Sequence, residues 1–143
     1  GWLLVPDDLT DAVDRLAGNF SICPPSLSQV AAVAAFDAYA ELDANVARYA
    51  QNRALLLDAL PAIGVGKLAP ADGAFYVYAD VGDYTDDALS WCARLLEETG
   101  VALAPGVDFD PVEGHHFVRM CFAGDSAEIR QGIDRLGQWL TTQ

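Results

Sequence analysis

Positive charge is scarce in this sequence. Eight Lys and Arg stand against 21 Asp and Glu, a formal net charge of −13 over 143 residues. Lys67 is the only lysine. The acidic residues are spread along the chain and no basic patch offsets them, so a nucleic-acid backbone finds no electrostatic footprint. The charge reads as a soluble acidic surface. Cysteine is sparse too: Cys23, Cys92 and Cys121 are widely separated, with no C-x-x-C spacing for a metal or redox site. Cys92 falls in a helical pattern and Cys121 in an apolar strand, so both read as buried free thiols in a reducing, cytoplasmic setting. There is no basic n-region with a cleavage site, and no apolar run near the length of a membrane span. Neither G-x-G-x-x-G nor P-loop spacing occurs, and Gly64-x-Gly66 and Pro105-Gly106 read as turns. Ser21, Ser26 and Ser28 lack the G-x-S-x-G elbow of a serine nucleophile. His115 and His116 are adjacent before a strand, where neighbours point opposite ways, so they make a poor chelating pair and no metal site is expected.

What remains is a globular composition. Hydrophobic residues make up 52% of the chain, and the mean hydropathy is +0.18. That suffices for a packed core. Trp2–Val5 reads as a short strand stopped by Pro6. Asp7 or Asp8 then caps a helix with the stripe Leu9, Val13 and Leu16, ended by Gly18. Ser26-x-x-Gln29 is a capping-box pattern opening a long helix from Leu27 to about Leu60. Its first part, Val30 to Phe36, is apolar almost all round and is predicted to be buried on most sides. A break is predicted near Tyr39–Asp43, and Leu42, Val46, Tyr49, Arg53 and Leu56 make the second part amphipathic. Ala74–Asp80 alternates, with Phe75, Val77 and Ala79 on one face and Tyr76 and Tyr78 on the other. Thr85 is placed to cap a helix over Asp86–Thr99, closed by Gly100. Val101–Ala104 and His116–Phe122 read as strands. Asp125 opens a last helix with the stripe Ile129, Ile133, Leu136 and Leu140.

The residue that stands out is Arg119. On its strand Phe117, Arg119 and Cys121 share one face, and Val118, Met120 and Phe122 the other. Burying an unpaired guanidinium is expensive, so an arginine in such a run has an anionic partner, and a planar carboxylate matches its fork best. The partner is either a small-molecule carboxylate or a structural Asp such as Asp80 or Asp108.

The surrounding motifs resemble those of the class I/II aminotransferases, the fold-type I enzymes that use pyridoxal 5'-phosphate. The segment Gly100–Ala123 is similar to that family's V-x-x-x-P-G-x-x-F loop leading to a V-R-x-x-F-A strand. Pro70-Ala-Asp-Gly73-Ala-Phe75-Tyr76 resembles its P-x-x-G-A-F-Y strand, and Gly1-Trp2-Leu-Leu-Val-Pro6 the strand after its cofactor lysine. Asn19–Gln29 resembles the loop that opens its interdomain helix, near the subunit interface, though a plain helix-capping loop explains the same residues. The likeness runs in order from Gly1 to about Leu140, and it is aspartate-aminotransferase-like.

The resemblance implies an α/β (α+β) arrangement. Residues 1–44 would be the tail of the large cofactor-binding domain, and 45–143 the small C-terminal domain. It implies transfer of an amino group between an amino acid and a 2-oxo acid, in a homodimer. Arg119 would grip the substrate α-carboxylate, and Gly73 and Phe75 would line the small-domain side of the pocket. For the last two, a core strand after a tight turn is the alternative. It also implies that the family's Schiff-base lysine, phosphate-binding Arg and ring-holding Tyr, Asn and Asp lie outside this sequence. Lys67, in a turn before Pro70, does not match the lysine position and reads as a surface residue. No catalytic or cofactor-binding residue is therefore assigned, and the chain alone is expected to be inactive. A non-catalytic domain that binds a small carboxylate or only self-associates stays open, as does another fold-type I enzyme such as a carbon–sulfur lyase.

Overall fold

The computed structural model describes residues 3–142. The chain divides into two compact units, Gly1–Leu42 and Asp43–Gln143. The first holds helices α1 (Asp7–Phe20) and α2 (Ser26–Ala35) and the opening of α3 (Tyr39–Ala62). Neither α1 nor α2 has a buried residue. Val30, Val33 and Phe36 are exposed, against the expectation that this stretch is covered on most sides. A helix apolar all round needs cover all round, and α1 leaves its own Leu16 and Phe20 exposed as well.

Local details of this unit also depart from the expected ones. Leu3–Val5 forms no strand, and Leu3 and Leu4 are exposed; Trp2 lies outside the described residues. A strand exists only where a ladder partner accepts its backbone groups. The helix α1 runs past Gly18 to Phe20, with Pro6 as its N-cap and no side-chain cap. Pro25, not Ser26, is the N-cap of α2, and Gln29 donates from Nε2 to the Pro24 carbonyl at 2.7 Å. The fixed φ of proline sets the entry to α2, and Ser26 is its first residue instead of its cap. The break between α2 and α3 falls at 36–38, a little before the expected one.

The second unit is a small antiparallel sheet with helices packed on one face. After α3 come β1 (Lys67–Leu68), β2 (Tyr76–Asp80), α4 (Ala88–Thr99), β3 (Ala104–Pro105), β4 (Phe117–Cys121) and α5 (Ser126–Leu140). Two 3-10 turns, Gly106–Asp108 and Gly114–His116, join β3 to β4. The strand order is β1-β2-β4-β3. The strand expected over Val101–Ala104 shrinks to β3, because only Ala104 and Pro105 find partners on β4, opposite Arg119 and Val118.

Capping residues set the helix ends. Asp87 caps α4 by accepting from the Ser90 N–H at 3.1 Å. Thr85, the expected cap, accepts instead from the Asp87 N–H at 3.0 Å and so aims the true cap. Gly100 ends α4 in the left-handed conformation, φ 74°, a region that disfavours residues with a Cβ. Asp125 caps α5 through the N–H groups of Ala127 and Glu128.

The core lies between the sheet and the helices. Val77, Ala79, Val118 and Met120 point into it from β2 and β4. Leu56 and Leu60 of α3, Trp91 and Leu95 of α4, and Ile133, Leu136, Trp139 and Leu140 of α5 complete it. Trp139 donates from Nε1 to Glu98 at 2.6 Å and meets Trp91 edge-on at 5.1 Å between centroids. Among the described residues one polar side chain is inside: Asn52, 1% exposed. Its Nδ2 donates to the carbonyls of Phe122 and Gly124, each at 3.0 Å, and its Oδ1 accepts from the Ser126 hydroxyl at 2.6 Å. Asn52 thus ties α3 to the turn between β4 and α5, leaving no buried group of its amide unpaired.

Candidate functional site

The sheet face turned away from the helices carries Tyr76 and Tyr78 from β2 and Phe117 and Arg119 from β4, all half-buried. Pairing register places Arg119 directly opposite Tyr78, with Asp80 opposite Phe117 and Tyr76 opposite Cys121. The tyrosines expected on the face opposite Val77 are therefore on the same face as Arg119.

Arg119 has no carboxylate within ion-pair distance among the described residues. Neither structural Asp serves as its partner: Asp80 accepts from the Gly82 N–H at 2.7 Å, and Asp108 forms no ion pair among the described residues. Instead its guanidinium carbon lies 4.2 Å from the centroid of the Tyr76 ring and 4.3 Å from that of Phe109. Both distances fall well inside the range of cation–π attraction. Arg119 is half-buried, no hydrogen-bond acceptor for its guanidinium occurs among the described residues, and a bidentate anion is what such a fork fits.

Glycines fix the loop that delivers Phe109. A Cβ on Gly106 would stand 2.6 Å from both the Gly114 carbonyl oxygen and the Tyr78 hydroxyl, so no larger residue fits there. The Gly106 carbonyl accepts from the N–H groups of Phe109 and Asp110, both at 2.9 Å, and holds the turn. The Tyr78 ring stacks on Phe117, centroids 4.8 Å apart and planes within 4°. Its hydroxyl is buried without a partner. Burial pushes the Tyr78 phenol up from its ordinary pKa, and the charge of Asp110 adds to this.

The other candidate residues fall into place unequally. Phe75 is 39% exposed and meets Tyr76, centroids 4.3 Å apart, so it joins the aromatic group around Arg119 at one remove. Gly73 lines a different hollow, about 300 Å³, with Tyr49, Arg53, Ala71 and Phe122, and Arg119 takes no part in it. A Cβ on Gly73 would meet nothing, so space does not demand glycine there; the positive φ of this turn, 55°, is at Ala74. Cys92 is buried as expected, and burial raises its thiol to about 11. Cys121 is exposed, contrary to expectation, because it ends β4 on the open face. Among the described residues no cluster of His, Cys, Asp and Glu could hold a metal, and His115 and His116 sit in a 3-10 turn. Lys67 is an exposed residue ion-paired to Asp83 at 2.8 Å, and that hydrogen bond holds its ammonium above the ordinary lysine range.

The family profile described as aminotransferase class I and II matches residues 1–136. The chain belongs to this family. It is 60% identical over 145 residues to the valine–pyruvate aminotransferase of Mycobacterium tuberculosis, with all of this chain and 37% of that protein covered. It is 28% identical to the aspartate aminotransferase of Sulfurisphaera tokodaii, covering 98% of this chain and 36% of that one. Among solved structures, an aminotransferase from Mycobacterium tuberculosis superposes with a TM-score of 0.90 at 60% identity, over 100% of this chain and 38% of the other. An aspartate aminotransferase mutant from Thermus thermophilus gives 0.76 at 28% identity, over 93% and 36%. The mixed helix and antiparallel-sheet architecture is that of the matching third of these fold-type I aminotransferases. The chain spans about 37% of the length of the curated relatives it matches.

The residues present do not by themselves fit a resident pyridoxal phosphate. The cofactor needs a lysine amine free to act as a nucleophile. Lys67 is exposed, ion-paired and shifted toward the charged form.

Proposed function

We propose that this chain is the C-terminal portion of a pyridoxal-phosphate-dependent aminotransferase, and that Arg119 receives the α-carboxylate of the amino acid and of the 2-oxo acid. Valine and pyruvate, named for the relative at 60% identity, are the first pair to test. The observation that carries this reading is Arg119 itself. An arginine on a central strand, with ring contacts on its guanidinium and no protein carboxylate, presents its N–H edge to a ligand. Fixing the carboxylate there would set the orientation of the adjoining carbon, and orientation is a large part of what such an enzyme must supply. On this reading cofactor chemistry belongs to the rest of the enzyme, and the chain alone is inactive. The whole enzyme is read as a cytoplasmic homodimer, in which exposed apolar residues of α1 and α2 such as Leu16, Phe20, Val30 and Val33 gain cover.

The test has two arms. The chain is mixed with pyridoxal phosphate, reduced with borohydride and mapped by mass spectrometry; no selective, stoichiometric adduct at Lys67 is expected, and no amino-group transfer from valine to pyruvate. Selective labelling of Lys67 together with turnover would overturn the inactivity. In the second arm, pyruvate titrated into the chain should perturb the Arg119 side-chain resonances and leave those of Arg53 unmoved. Equal perturbation of every arginine would remove the assigned role.

A further inference from the structure

The two rings on Arg119 come from opposite sides of its strand. The sheet order sets β2 on one flank of β4 and β3 on the other. Tyr76 belongs to β2, and Phe109 follows β3 after the turn Gly106–Asp108. Their centroids lie 4.2 and 4.3 Å from the same guanidinium carbon. The Arg119 guanidinium carbon thus lies over two aromatic rings, and neither ring brings a carboxylate or carbonyl to its N–H groups.

This arrangement answers a physical difficulty. A binding arginine that is pre-set by a protein carboxylate has part of its fork already occupied. One that is not pre-set loses side-chain entropy when it closes on its ligand. Aromatic faces hold the guanidinium without consuming a donor, because the attraction is to the ring quadrupole. The fork is left open along its edge while its swing is restrained. A ring on a flank takes the place of water there, which strengthens a charge-assisted bond made at the edge.

We propose that Tyr76 and Phe109 are positioning residues for carboxylate binding, holding the Arg119 guanidinium ready between their rings. This rests on the reading of Arg119 as the carboxylate site. Phe109 is the more informative of the two. Phe109 is 51% exposed, so it contributes little to the core, and its place is set by the turn built on Gly106.

The experiment uses the whole 143-residue chain, labelled with nitrogen-15, and pyruvate as the probe. Two quantities are read by nuclear magnetic resonance: the mobility of the Arg119 Nε–H without ligand, and the pyruvate affinity from its shift. Phe109→Leu and Tyr76→Leu keep apolar bulk but remove the ring. Each should loosen the Nε–H and weaken pyruvate binding roughly 3–10-fold. Phe109→Tyr should restore both to within about twofold, since a phenol ring offers the same face. A purely structural role for Phe109 would let leucine and tyrosine serve equally. Arg119→Lys is the separate control on the underlying reading and should abolish the saturable shift, because an ammonium cannot bind bidentately. If Arg119→Lys binds pyruvate as well as the parent chain, the carboxylate site is wrong and the positioning role falls with it. If Arg119→Lys loses binding while both leucine variants match the parent in mobility and affinity, the site stands and the positioning proposal alone is overturned.

Discussion

Replacing Arg119 with methionine separates a structural arginine from one kept for a ligand. Breaking a buried ion pair leaves a stranded carboxylate and costs about 3–5 kcal/mol. Here no carboxylate is stranded, because Arg119 has no acidic partner among the described residues. What is lost is two ring contacts, at 4.2 and 4.3 Å, each worth about 0.5–1 kcal/mol at a half-exposed site. Methionine offsets part of that, since a thioether against an aromatic ring recovers about 0.3–1.5 kcal/mol per contact. It also removes the penalty of a partly desolvated charge. The net change for Arg119→Met should therefore stay within about 1 kcal/mol. Urea unfolding followed by tryptophan fluorescence, in a Trp2→Phe background so that the buried Trp91 and Trp139 report alone, reads the second unit. An unchanged slope with a small shift in midpoint is the expected result. A loss of 3 kcal/mol or more, at unchanged slope, would mean that the arginine satisfies a buried acidic group and would refute the reasoning.

Asn52→Leu should cost far more, about 3 kcal/mol or above in the same assay, because it strands the Phe122 and Gly124 carbonyls and the Ser126 hydroxyl near the core; a change under about 1 kcal/mol would mean that the turn re-pairs on its own. Gly106→Ala should destabilise by about 1–3 kcal/mol, since the new methyl meets the Gly114 carbonyl and the Tyr78 hydroxyl at 2.6 Å, and the Phe109 ring resonances should shift with it; a silent variant would show that the loop is not pinned there. Cys92 makes stability pH-dependent on the alkaline side. Its thiol stays protonated in the fold to about 11 against an ordinary 9.0, so the unfolded chain gives up that proton first and stability falls as pH rises across that window, by at most about 2–3 kcal/mol. Comparison with Cys92→Ala, whose loss should be shallower over the same pH range, checks this. At neutral pH iodoacetamide should modify Cys23 and Cys121 well before Cys92, and equal rates would contradict the burial of Cys92.

Features that depend on near neighbours are readable from the chain. The Asp125 cap and the Ile133, Leu136 and Leu140 stripe of α5 lie within one helix, and they stand where the periodicity puts them. The stop at Gly100 is local too. Arg119 is conspicuous because a charged residue interrupts an apolar alternation, and that contrast also survives in one dimension. Its surroundings do not. Tyr76 reaches Arg119 through a strand register set across the sheet, and Phe109 through a loop whose path is fixed by two glycines touching each other. Asn52 looks like any polar residue of an amphipathic helix, because its partners lie 70 to 74 positions away. The failures share a cause. Leu3–Val5 and Val30–Phe36 are apolar enough to be a strand and a buried helix, but apolar sequence states a need for cover and not its presence. Cys121 departs from its expected burial for the same reason, at the exposed last position of β4.

The two outer strands of the sheet are only two residues long each. One carries Lys67, and the other ends in Pro105, which has no N–H to give. An intruding strand from another molecule would find at most a pair of ladder positions on either side, next to a charge or a missing donor. Such blunted rims are how natural sheets discourage edge-to-edge aggregation. In a chain that leaves so many apolar side chains of α1 and α2 uncovered, self-association should therefore proceed through helix faces, and it should not seed fibrous growth from the sheet.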